Sequence, residues 1–154
     1  MSMVEPLLWS VVLGGLAGLN LQEGRRHHDL EAQVALAPKV LYQRLAKSQV
    51  QWQIVDVRTD LRDGYEDAHI PGALPFPSCD PALSPEAAKG RALASVPTVI
   101  VSEDGSPEIF AKCASYFTSA RNLGGGMAAW SEANLPEDTG EYVPPKSSAG
   151  GGCL

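Results

Sequence analysis

Two features of this chain could do chemistry: its cysteines, and one loop that leaves a buried strand. Cys79, Cys113 and Cys153 are odd in number and widely spaced, with no C-x-x-C among them. That pattern suits neither a zinc site nor a disulfide framework. Reduced thiols in a cytosolic compartment are expected, with no metal and no cofactor. The loop lies in Val99-Ile100-Val101-Ser102-Glu103-Asp104-Gly105-Ser106-Pro107-Glu108. A short apolar strand runs into a polar turn, and an amphipathic helix leaves from Pro107. In an α/β protein such a turn is where anions and nucleophiles are held. The helix N-terminus supplies free N–H groups and a partial positive charge.

The elements that must position this loop can be read from the apolar pattern. A short edge strand is expected at 34–36. A helix follows from Pro38, with Val40, Leu41 and Leu45 on one face. The β-branched run 52–57 reads as a buried strand that stops at Arg58. A short solvated helix is expected over 59–68, a strand over 74–76, and a capped helix over 85–94. The run 98–101 is the most apolar strand. The helix over 107–119 turns Ile109, Phe110, Cys113, Tyr116 and Phe117 inward. A last strand at 122–123 leads through Gly124-Gly125-Gly126 to a helix carrying Met127 and Trp130. Strands alternating with helices predict an α/β fold, a parallel sheet with helices on both faces. A site then belongs at the carboxyl ends of the strands, at Asp56-Val57-Arg58 and Ser102-Glu103-Asp104-Gly105.

Composition limits what the chain does. Its 154 residues, 44% hydrophobic and 19% charged, suffice for one globular domain. A net charge of −6, from 12 basic and 18 acidic residues, excludes a nucleic-acid partner. Residues 6–22 carry no charge and sit at the short limit for a membrane span. Glu5 precedes the run, and Arg25, Arg26, His27 and His28 follow it. That asymmetry places the domain on the cytoplasmic face of a membrane, held by an N-terminal anchor. The alternative is a soluble cytoplasmic protein whose apolar helix is covered by a partner. The expected organisation is an extra apolar helix at 1–24, a linker at 25–33, the domain at 34–137, and a disordered Pro/Ser/Gly tail at 138–154 that ends in Cys153-Leu154.

Three stretches together resemble a rhodanese domain over roughly Val34 to Pro136. The first is Ile54-Val55-Asp56-Val57-Arg58 with Tyr65 and His69-Ile70-Pro71-Gly72-Ala73, at a slightly longer spacing than the family's pattern. The second is Val99-Ile100-Val101 with its loop. The third is Gly125-Gly126-Met127-Ala128-Ala129-Trp130 followed by Leu135-Pro136. The resemblance implies a rhodanese-like parallel sheet. It also implies structural roles for Asp56, Arg58, His69, Gly72, Gly125 and Trp130: strand-end ties, a turn cap, backbone geometry and core.

The resemblance further implies a loop cysteine that takes up sulfane sulfur as a persulfide, within a cradle of inward N–H groups. Here the loop departs from the family. Aligning Gly105 with the loop's usual glycine puts Ser102 at the cysteine position, and a shift by one puts Glu103 there. Neither can carry a persulfide. Glu103, Asp104 and Glu108 crowd the turn, and Pro107 stands where an arginine is usual and removes an N–H. Like charges about 4 Å apart cost on the order of 1 kcal/mol in water and about 4 near a protein surface, so this loop repels thiosulfate. The expected function is a non-catalytic binding or structural module. It would be an accessory subunit of a membrane-associated assembly, with protein partners met partly through residues 6–22. The alternative is a sulfurtransferase or sulfur carrier whose thiol has moved to Cys153 or Cys79, with Cys113 a buried structural thiol.

Overall fold

A computed structural model describes residues 35–47 and 52–145. The elements follow in the order β1 (Ala35–Leu36), α1 (Pro38–Ala46), β2 (Gln53–Asp56), β3 (Leu74–Pro75), β4 (Thr98–Val101), α2 (Pro107–Ala114), β5 (Ala120–Leu123) and α3 (Gly126–Glu132). The strands form one sheet in the order β1-β5-β4-β2-β3. Every pairing is parallel; Val55 lies opposite Ile100, and Ile100 opposite Asn122. β4 is central and fully buried, as a strand covered on both faces must be.

The period-2 alternation of the strands sorts the core into two layers. Ile54, Val99 and Val101 point to one face with Leu41 of α1 and Met127 and Trp130 of α3. Val55, Val57 and Ile100 point to the other, against Phe76, Phe117 and Cys113 of α2. Helices therefore cover both faces, as the alternation of elements predicts. This arrangement puts the β4–α2 turn at the middle of the sheet's carboxyl edge.

Several elements are shorter than the apolar pattern suggests. The helix expected over 59–68 is one π-type turn, Leu61–Tyr65, whose start is capped by the Asp60 carboxylate accepting from the Asp63 N–H. The helix expected over 85–94 reduces to a 3-10 turn, Glu86–Ala88, and Gly90 then takes a left-handed φ of 69°. α2 ends at Ala114 rather than 119, because the chain beyond it is bonded to other segments. Thr118 N–H donates to Ala94 C=O, and Ser119 C=O accepts from Thr98 N–H.

The tail expected to be disordered from 138 is not so at its start. Asp138 and His69 exchange two backbone hydrogen bonds of 2.9 Å, Gly140 N–H donates to Glu66 C=O, and Tyr142 packs on the first core layer. The backbone groups of the 66–69 turn face outward and take the returning chain as their partner. The apolar run 6–22, the linker 25–33 and residues 146–154 with Cys153 lie outside the described residues. Among the described residues, no helix is long and apolar enough to cross a membrane.

Candidate functional site

The β4–α2 turn is built against the glycine turn that opens α3. Ser102 and Glu103 carbonyls accept from Met127 and Ala128 N–H at 2.8 and 3.0 Å, so the start of α3 is capped by the loop. The two backbones meet at glycines. A β-carbon on Gly126 would lie 2.4 Å from Ser102 O, and one on Gly105 2.5 Å from Gly125 N. Gly105 and Gly126 also have φ values of 74° and 59°, which only glycine adopts without penalty.

Within the turn, side chains take up two of the backbone N–H groups. Ser102 is 2% exposed, and its hydroxyl oxygen accepts from Gly105 N–H at 3.0 Å. Asp104 accepts from Ser106 N–H at 2.9 Å. Pro107 has no N–H to give. Of the two residues that could stand at the nucleophile position, Ser102 faces the loop's own amides, while Glu103 is 69% exposed. Asp104 and Glu108 are exposed too, so the outer surface of the turn is acidic.

The neighbouring turn, after β2, is an ionic lock. Asp56 is 1% exposed and takes both Nε and Nη2 of Arg58, at 3.0 and 2.8 Å. Arg58 N–H also donates to Asp56 at 3.1 Å, and Nη2 donates to Ala68 C=O at 2.6 Å. Arg58 Nη1 reaches Glu103 at 3.4 Å, linking the two turns. Burial alone would lower the guanidinium's affinity for its proton, but Asp56 and Glu103 outweigh it and raise the pKa.

The other motif residues hold this lock in place. His69 Nδ1–H donates to Tyr65 C=O at 2.8 Å, and its ring stacks on Tyr65 at 3.9 Å. Tyr65 OH donates to Ala73 C=O at 2.7 Å. Burial, with the Asp56 charge adding to it, pushes its phenol well up from the usual value. Gly72 makes its turn at φ 78°, with open space where a β-carbon would be. Gly125 is the left-handed residue just before α3. Trp130 is 1% exposed in the core, and its indole N–H donates to Pro136 C=O. Asn122 is a member of the site that sequence reasoning missed: buried beneath the loop, it donates to Gly105 C=O at 2.7 Å. The signal was a lone amide in a strand that is otherwise apolar on its buried side.

The cysteine expectation needs correction. Cys79 and Cys113 are not free thiols but are joined in a disulfide, with Cα atoms 5.4 Å apart. The fold folds the loop after β3 onto α2, which brings together residues 34 apart in sequence. Cys79 is therefore not free to carry sulfur in this state.

A model of the rhodanese-like domain family matches residues 37–133. Among solved structures, the rhodanese-like domain of an Anabaena sp. protein is 25% identical, covers 79% of this chain and 89% of that chain, and superposes with a TM-score of 0.56. Thiosulfate sulfurtransferase from Pseudomonas aeruginosa is 20% identical, over 71% of this chain and 20% of that one, with a TM-score of 0.56. A 3-mercaptopyruvate sulfotransferase from Escherichia coli is 21% identical, over 73% of this chain and 54% of that one, with a TM-score of 0.54. No curated protein matches the chain.

Proposed function

The chain belongs to the rhodanese-like domain family, and from that premise we propose that it is a non-catalytic binding module. Its acidic β4–α2 turn would meet a basic protein surface. The observation that carries the reading is Ser102. It follows the central strand directly, at one of the two positions, with Glu103, that align with the family's cysteine, and its hydroxyl is committed to Gly105 N–H. Persulfide chemistry needs a polarisable thiolate in a positive cradle. A serine oxygen cannot hold sulfane sulfur. Two of the loop's amides, those of Gly105 and Ser106, are occupied by Ser102 and Asp104, and its rim carries Glu103, Asp104 and Glu108.

The module is further proposed as an accessory subunit of a membrane-associated assembly, anchored through residues 6–22 with the domain on the cytoplasmic side. The support is the uncharged run followed by Arg25 and Arg26. Recovery of the full chain in the soluble fraction, without detergent or partners, would refute the anchor.

Thiosulfate-to-cyanide sulfur transfer by the full chain tests the central claim. No turnover above the protein-free rate is expected. Turnover that is lost on Cys153→Ser would overturn the reading and establish a relocated thiol instead.

A further inference from the structure

We propose that the Cys79–Cys113 bond is a thiol–disulfide exchange site, opened by a dithiol that attacks at Cys79. The bond is asymmetric. Cys113 is 1% exposed on the inner side of α2, beneath Phe117 and Val57, while Cys79 is only half-buried, at the surface end of a loop. Cys79 is the more exposed of the pair, and it is the sulfur we assign to attack by an incoming thiolate.

The loop that carries Cys79 is held against local preference. Ser78 and Cys79 are consecutive non-glycine residues in the left-handed region, at φ 54° and 60°. There the β-carbon crowds the carbonyl that follows. No sheet ladder fixes this segment. It is a chain of 3-10 turns, Pro77–Cys79 and Pro81–Leu83, tied to the sheet by Ser78 N–H donating to Val57 C=O. The disulfide is the covalent link that keeps this turn on α2, the helix that leaves directly from the acidic loop. Opening it frees Ser78 and Cys79 to leave the left-handed region. Disulfides are rare in a reducing compartment, and those that form there are usually transient and redox-active; the exchange reading rests in this respect on the cytoplasmic placement proposed above.

The reaction balances without further reactants. One thiol of the dithiol loses its proton and attacks Cys79 Sγ; the Cys79–Cys113 bond breaks, and Cys113 leaves as thiolate and is protonated. The second thiol, deprotonated in turn, attacks the mixed disulfide and releases Cys79 as thiolate, which takes up a proton. The protein disulfide gains two electrons and two protons, and the dithiol closes to its own disulfide.

The test treats the native full chain, carrying Cys153→Ser to remove the third thiol, with dithiothreitol in the absence of denaturant, followed by alkylation and mass spectrometry. Reduction in the folded state is expected, with Cys79 alkylated about tenfold faster than Cys113. Amide hydrogen exchange is expected to rise over 76–83 while the sheet stays protected. Returning the protein to oxidised glutathione should close the bond again. Ser78→Gly relaxes one left-handed residue and should move the reduction equilibrium toward the disulfide about fivefold. Reduction that requires unfolding in guanidinium overturns the proposal, as do thiols that fail to close in oxidised glutathione. Equal alkylation of the two cysteines overturns attack at Cys79, and an unmoved equilibrium in Ser78→Gly overturns the role of the strained turn.

Discussion

The turns after β2 and β4 leave the sheet side by side, and they handle charge in opposite ways. After β2, Asp56 and Arg58 are buried, joined by two side-chain hydrogen bonds of 3.0 Å or less, and tied to Ala68 C=O. After β4, Glu103, Asp104 and Glu108 face water, and Glu103 makes one 3.4 Å contact to Arg58. The first arrangement fixes the scaffold. The second leaves the rim free to differ without disturbing the fold, since an exposed carboxylate contributes little to stability. The scaffold and the rim of the central turn therefore depend on different residues, so one can be kept while the other changes.

The sharpest way to break this comparison is Arg58→Met. It leaves Asp56 as a buried, uncompensated charge and should cost about 3–5 kcal/mol, read as a fall in the urea midpoint. A loss near zero would mean that the lock is not what holds the turn. Gly126→Ala comes next. Its β-carbon would meet the Ser102 and Glu103 carbonyls at 2.4 and 2.6 Å in a left-handed residue, for a loss of about 3 kcal/mol. A mild effect would show that the acidic turn can move away from α3.

Tyr65 separates the two turns by pH. Its folded pKa is raised, so its contribution is fully present below the unfolded value of 10.0 and is lost as pH rises from there toward the folded pKa. Stability should thus decline above about pH 10 in the parent. The decline should flatten in Tyr65→Phe, which also gives up about 1 kcal/mol at neutral pH with the Ala73 hydrogen bond. The smallest effect belongs to Glu103→Gln: less than about 0.5 kcal/mol on stability, with a clear loss of salt-sensitive binding to a basic partner. A large stability loss there would erase the distinction between the turns.

Much of the scaffold was legible. The strands at 52–57 and 98–101 announce themselves as β-branched runs, and Gly72, Gly125 and Trp130 stand in positions whose local geometry requires them. Less was legible where secondary structure is short. The segments 59–68 and 85–94 contain helix-compatible residues, but Gly90 and bonds to distant backbone stop them, and a sliding pattern does not register such bonds. Asn122 was missed because its partner, Gly105 C=O, belongs to a different turn.

The sequence by itself determined that the central loop has no cysteine, that three carboxylates surround it, and that Pro107 opens the following helix. These are statements of residue type at a strand end, and nothing in the fold can alter them. Only the tertiary structure decided that Ser102 turns toward the loop's amides while Glu103 turns to solvent and Arg58. It also decided that Asp138 returns to pair with His69, and that Cys79 meets Cys113. Each of these joins segments far apart in sequence. Their meeting depends on how the sheet stacks the crossovers on its two faces, whereas local periodicity specifies only which face of each element is apolar.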